Sequence, residues 1–193
     1  MSEISFPDYS AQEEMIECCG DAELLYKSGK KIMRYQMTTY GCEGDCENYD
    51  LIKSYMTGSV LNIGLGMGNS VDMILDTEIT DLIVYEIEQD IIDLYESFHS
   101  DERLTIYTED AFENKPEQTF DEILFEIGMT EDNLIDIQDY LTWAFQNLNA
   151  NGYLIIPYDR YYSVLIKDYG KSLSYITKGS GMNKQNIWIL CQN

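Results

Sequence analysis

The chain has 193 residues, enough for one domain with a buried core, and 45% hydrophobic residues exclude a disordered chain. Asp and Glu number 35 against 12 Lys and Arg, a net charge of −23, and a field of that sign repels phosphate backbones and anionic membranes. No apolar run approaches ~18 residues, and the opening MSEISFPDYS carries acid where a secretory signal carries base. The expectation is a soluble, cytoplasmic protein that binds neither nucleic acid nor membrane and draws in cationic small molecules. An acidic surface that serves solubility alone stays open, as does one that occupies a DNA-binding partner by imitating DNA.

From the N-terminus, residues 9–19 read as a weak acidic amphipathic helix, and ELLYKSGKKIMRYQM as a hairpin around SGKK. A loop bearing cysteine and glycine follows, then NYDLIKSYM with a helical pattern. Five cysteines (Cys18, Cys19, Cys42, Cys46 and Cys191) are an odd set in a chain without an export signal, so reduced thiols are expected. CEGDC at 42–46 offers two metal ligands, but there is no second pair and one histidine, His99; no metal is expected. Residues 1–57 are read as a small cap on the ligand edge of the domain formed by residues 58–193.

From residue 59 strand and helix signals alternate. SVLNIG, DLIVYE, RLTIYTED and FDEILFE read as strands; NSVDMILD and EQDIIDLYESFH read as helices, the latter with Ile91, Tyr95 and Phe98 as its apolar stripe. AFENKPEQT leaves room only for a short or vestigial helix. Thr130, with Glu131 and Asp132, suits the start of a helix whose stripe is Leu134, Ile137, Leu141, Phe145 and Leu148. A turn at NANG leads to the strand GYLIIP, a shorter helix through YYSVLIKDY, and a closing hairpin of SLSYIT and NIWILC. The alternation predicts an α/β, Rossmann-like three-layer sandwich: a mostly parallel seven-stranded sheet ending in an antiparallel hairpin.

VLNIGLGMGNS, residues 60–70, breaks an apolar strand with Gly64, Gly66 and Gly68 just before a helix. Glycine lets the backbone turn sharply and approach a ligand closely, and the helix start offers N–H groups. Alone the spacing is weak evidence, since any tight strand-to-helix turn produces it. Glu86 ends the second strand, 18 residues after Gly68, where such folds place the acid that accepts ribose hydroxyls. Asp110, with small Ala111 beside it, follows the third strand, and Glu126 ends the fourth. All fall at the carboxyl ends of successive strands, where open α/β sheets bind ligands.

With these residues in view, the chain from about 59 to 192 resembles the S-adenosylmethionine-dependent methyltransferases of the Rossmann-like class, and among them the spermidine-synthase-like branch. VLNIGLGMG, VYEIEQDIIDLYESF, LTIYTEDAFE, FDEILFE and LNANGYLIIP carry the resemblance, together with the hairpin ending in NIWILC. It implies that the glycine loop, with Leu65 among Gly64, Gly66 and Gly68, wraps the methionine part of the cofactor. It implies further that Glu86 and its neighbour Ile87 hold the ribose region, that Asp110 and Ala111 lie near the adenine, and that Glu126 faces the reacting centre. Asn62 stands where methyltransferases often carry an acid toward the cofactor's amino group. Spermidine synthases usually have Tyr-His-Glu before the first strand, where this chain reads YDLIKSY, and an Asp at Glu126; their N-terminal sheet is expected to shrink here to one hairpin. Neither is there an Asn/Asp-Pro-Pro-Tyr after the fourth strand, which argues against DNA amino methylation.

The reading is an enzyme that uses S-adenosylmethionine, with methyl transfer to a small amine-bearing or cationic acceptor such as a polyamine ahead of aminopropyl transfer or cofactor cleavage. Glu126 is the candidate catalytic residue, with Tyr158 and Asp159 after the fifth strand as helpers; each is otherwise a solvated strand-end side chain. His99 reads as structural, and the 16 tyrosines are too many to single out a stacking surface. A binding protein that keeps this fold and acts through its acidic surface is the alternative of another class. Oligomeric state and acceptor are left open.

Overall fold

The computed structural model describes residues 14–27, 30–36, 38–42, 46–127, 134–158, 166, 172–179 and 185–193. Strand β5 (Gly58–Ile63) lies near the middle of a seven-stranded sheet, with β6 (Ile79–Glu86) and β7 (Leu104–Thr108) on one side. On its other side lie β8 (Phe120–Phe125), β9 (Leu148–Pro157), β11 (Gln185–Gln192) and β10 (Ser172–Lys178), in that order. The strands β5 to β9 pair in parallel, whereas β11 runs antiparallel to both β9 and β10. The alternation of strands with α2 (Asn69–Leu75), α3 (Gln89–Glu96) and α4 (Leu134–Asn147) produces this arrangement, as the sequence predicts.

Side-chain alternation along each strand divides the core in two. Val60, Leu82, Val84, Leu124 and Ile155 join Val71, Ile74 and Ile91 from α2 and α3. Leu61, Ile63, Ile123, Phe125 and Ile156 join Ile137, Leu141 and Phe145 from α4. Continuous apolar runs are what a parallel sheet covered on both faces requires. Burying each such side chain stabilises the fold by roughly 1.5–3 kcal/mol.

Several expectations need correction. The helix expected over 9–19 is instead strand β1 (Glu14–Cys19) where it is described, because pairing with β2 (Ala22–Lys27) outweighs a weak helical pattern. The hairpin of β2 and β3 (Lys30–Tyr35) is present, and β4 (Thr38–Cys42) extends it, so the N-terminal sheet has four strands rather than one hairpin. It stands on α3: Asp21 N–H donates to Asp90 (2.8 Å) and the Tyr35 hydroxyl to Glu88 (2.6 Å). NYDLIKSYM splits into the short α1 (Cys46–Tyr49) and a 3-10 turn, Lys53–Tyr55. α3 ends at Glu96, so Phe98 falls beyond it and is exposed, while Ile91 and Tyr95 are buried. The residues NANG bulge out of the β8–β9 ladder, whose register jumps from Phe120↔Leu148 to Glu122↔Tyr153. The expected cap at Thr130, most of the helix through YYSVLIKDY and the side chains of Cys42 and Cys46 lie outside the described residues.

Candidate functional site

Three backbone hydrogen bonds carry the parallel ladder just past the strand ends. Gly64 N–H donates to Tyr85 O (2.9 Å), Glu109 N–H to Glu86 O (3.1 Å) and Glu126 N–H to Ile63 O (3.1 Å). Beyond them the chains separate, and a cavity of about 440 Å³ opens at the carboxyl ends of β5, β6, β7 and β8. That volume falls in the range of small-molecule sites, roughly 300–1,000 Å³.

The glycine loop forms one wall. Gly66 has φ +51°, a left-handed conformation natural to glycine, and a Cβ there would meet nothing within 4 Å. Its absent side chain therefore leaves space open beside the cavity that the loop lines. Gly68 serves a different end: it caps α2 at φ +84°, and a Cβ would run into the Tyr95 ring. Gly68 lets the loop pack on α3, while Gly66 leaves the loop open.

Glu86 is buried at 6% exposure, yet its carboxylate is well supported. Oε2 accepts from Leu65 N–H (3.1 Å), and Oε1 accepts from Ile87 N–H (2.8 Å) and Glu88 N–H (3.2 Å). One side chain thus fastens the glycine loop to the start of α3. Of its roughly four acceptor positions, these three bonds leave one. Asp110 Oδ1 accepts from Phe112 N–H (2.8 Å), a local turn that sets Ala111 and Phe112 against the cavity.

Glu126 lies just past β8, on the sheet face that carries Asn62 and Leu124. It keeps partial exposure and lines the cavity. Burial pushes its carboxyl pKa up, against hydrogen bonds from the side chains of Ser70, Tyr49 and Asn62 that lower it. Tyr49 is itself held against Trp188, with ring centroids 5.5 Å apart, and Trp188 Nε1–H donates to Asn48 O at 2.7 Å.

The cavity brings together eight of the residues expected from sequence: Gly64, Leu65, Gly66, Glu86, Ile87, Asp110, Ala111 and Glu126. Asn62 and Gly68 lie outside the lining. Asn62 is fully buried, its Nδ2–H₂ donating to Gly64 O (2.6 Å) and Ser70 Oγ (3.3 Å), and its Oδ1 has no partner. Tyr158 is 41% exposed and meets Tyr175 edge-on at 6.0 Å, away from the lining. Asp159 lies outside the described residues. Tyr49, Met67, Asn69, Tyr85, Glu109 and Phe112 also line the cavity and were not singled out from sequence. Adjacency to known strand ends was a usable signal for Tyr85, Glu109 and Phe112. For Tyr49 no local pattern was available, because the fold of residues 46–56 brings it there. Among the described lining residues there is no Lys, Arg or His, while Glu86, Glu109, Asp110 and Glu126 are all acids.

No family model and no curated protein matches this sequence. Solved structures do match it. Spermidine synthase from Thermotoga maritima superposes with a TM-score of 0.69 at 13% identity, over 100% of this chain and 82% of that one. N-methyltransferase NodS from Bradyrhizobium japonicum WM9, in complex with S-adenosyl-L-homocysteine, gives 0.58 at 13% identity, over 78% and 86%. A methyltransferase from Pyrococcus furiosus gives 0.57 at 18%, over 75% and 81%. The fold is that of the class I, Rossmann-like S-adenosylmethionine-dependent methyltransferases, and the spermidine synthase alignment extends across the N-terminal sheet as well.

Proposed function

We propose that the protein transfers a methyl group from S-adenosylmethionine to a small amine-bearing acceptor. The observation that carries this reading is the cavity itself, where an open glycine loop, Glu86, Asp110 and Glu126 share one acid-lined wall set. These residues fit the cofactor. The open position at Gly66 gives room for the methionine part, the remaining acceptor position of Glu86 suits a ribose hydroxyl, and Ile87, Asp110 and Ala111 border space for the adenine. A lining of acids without bases favours a ligand that carries positive charge.

When bound, the cofactor supplies a methyl group already activated by its sulfonium. The protein's part is to align and to keep water out. Holding an amine in line with that carbon can lower the barrier by roughly 7–11 kcal/mol. Glu126, with the Tyr49 hydroxyl beside it, accepts the proton of the acceptor's ammonium and so frees the nitrogen lone pair for attack. Met67, Phe112 and Ile127 add apolar cover to the lining.

Aminopropyl transfer is the second reading. The whole-chain superposition on spermidine synthase supports it, as does Tyr49, which belongs to YDLIKSY and stands against Glu126. Against it count the missing histidine and the Glu in place of Asp. The partners proposed are small molecules; the net charge of −23 disfavours nucleic acid and anionic membranes, and no described helix is long and apolar enough to cross a membrane. Calorimetric titration with S-adenosylmethionine and S-adenosylhomocysteine tests the proposal. Saturable binding that Gly66→Val and Glu86→Ala abolish is the expected result; no binding of either ligand at about millimolar concentration overturns it. Product analysis with amine acceptors then separates the readings. S-adenosylhomocysteine marks methyl transfer, methylthioadenosine marks cleavage or, when the decarboxylated form of the cofactor is supplied, aminopropyl transfer, and binding without turnover marks a non-catalytic binding protein.

A further inference from the structure

We infer that Glu126 gives up a proton when a cationic ligand enters the cavity, so that ligand binding and proton release are one coupled event. This rests on the proposed reading that the ligand is a sulfonium or ammonium compound. The side chain has neutral neighbours on three elements: Tyr49 from α1, Asn62 from β5, and Ser70 from α2. Asn69 of α2 borders the same cavity, and the charged groups across it, Glu86, Glu109 and Asp110, are all acids. Three ion pairs of basic residues, Lys53–Asp76, His99–Asp72 and Arg103–Asp101, lie elsewhere. An ionised Glu126 therefore has neutral donors around it, and the described cavity lining offers it acids and no cation.

The contrast with Glu86 sharpens the point. Glu86 receives three backbone N–H bonds, whereas the donors to Glu126 are the side chains of Ser70, Tyr49 and Asn62. Asn62, one of the donors to Glu126, carries a second unusual atom, Oδ1, fully buried and without a partner. Buried acceptors are nearly always satisfied, and leaving one open costs about 1–3 kcal/mol. Burial raises the Glu126 pKa and so favours the protonated carboxyl group, which a positive charge in the cavity would oppose.

The direction of the linkage follows. A cation prefers the ionised carboxylate, so at pH values below the raised pKa binding must expel the proton to solvent. Affinity then rises with pH, by up to about tenfold per unit, and levels off once Glu126 ionises without ligand.

S-adenosylmethionine binding to the full chain, measured calorimetrically in two buffers of different ionisation enthalpy across about pH 5 to 9, reads the released proton directly. Release approaching about one proton per ligand in the wild type, with none in Glu126→Gln, is the expected result. Binding without release at any pH overturns the inference, and so does release that persists in Glu126→Gln. If that variant fails to fold, infrared difference spectra of the wild type decide: a protonated-carboxyl band must disappear on binding, and an unchanged band overturns the inference. Failure of S-adenosylmethionine to bind at all counts instead against the proposed function.

Discussion

Two carboxyl groups, Glu122 within β8 and Glu126 just past its end, lie four residues apart on one sheet face. Glu122 sits within the strand at 4% exposure, accepting from Tyr153 N–H at 3.1 Å, and burial pushes its pKa up to about 9. Glu126 sits just past the strand's end, in the cavity, and burial raises its pKa as well. Burial raises both pKa values; the surroundings differ. Glu122 is closed in by the sheet, near Asp121, so its proton has no ligand to answer to. Glu126 opens on a space with hydroxyl and amide donors around it. A raised pKa is thus a property of buried carboxyl groups in general, and only position at the carboxyl edge makes one of them a candidate for chemistry.

Substitution can break this contrast between edge and interior. The largest effect is expected for Glu126→Gln: turnover of an amine acceptor falls by about a hundredfold to ten-thousandfold while the melting temperature stays near wild type. An equal loss of activity in Glu122→Gln would erase the distinction. Within the glycine loop, Gly68→Ala drives a methyl group into the Tyr95 ring at a positive φ and should cost about 2–4 kcal/mol. A melting temperature lowered by roughly 5–15 °C is the measure, and Gly66→Ala, with open space around it, should lose less.

Glu122→Gln sharpens the comparison through pH. The unfolded chain ionises Glu122 near 4.5, whereas the folded protein holds the proton to about 9. Unfolding therefore releases a proton between those values, and the folded state loses stability as pH climbs through that window. The Gln variant, with no proton to lose, should melt higher than wild type at about pH 8 and match it near pH 4. Smallest of all is Tyr140→Phe. The Tyr140 hydroxyl is buried without a partner among Phe112, Phe125 and Trp143, so its removal should be neutral or stabilising by up to about 1 kcal/mol in thermal melts.

Much of the main domain was legible because its signals are local. Apolar runs of strand length, the stripe of Ile137, Leu141 and Phe145, and glycine at the first strand-to-helix turn each reflect a period or a turn that neighbouring residues impose. The N-terminal sheet was not, since β1 is a strand only by virtue of pairing with β2, and β4 only by pairing with β3. Sequence order likewise gave no hint that Tyr49 would pack against Trp188, 139 positions away, and reach Glu126.

By itself the sequence determined the α/β class, the order of the strands along the chain and the acids at their carboxyl ends, because these follow from short-range periodicity and from where a parallel sheet must turn. Tertiary structure alone decided which of those acids share a cavity, that Gly66 opens it while Gly68 packs beneath it, and that Asn62 turns inward with an unpaired oxygen. Such matters depend on the distance between side chains from different elements, a quantity that no local pattern encodes.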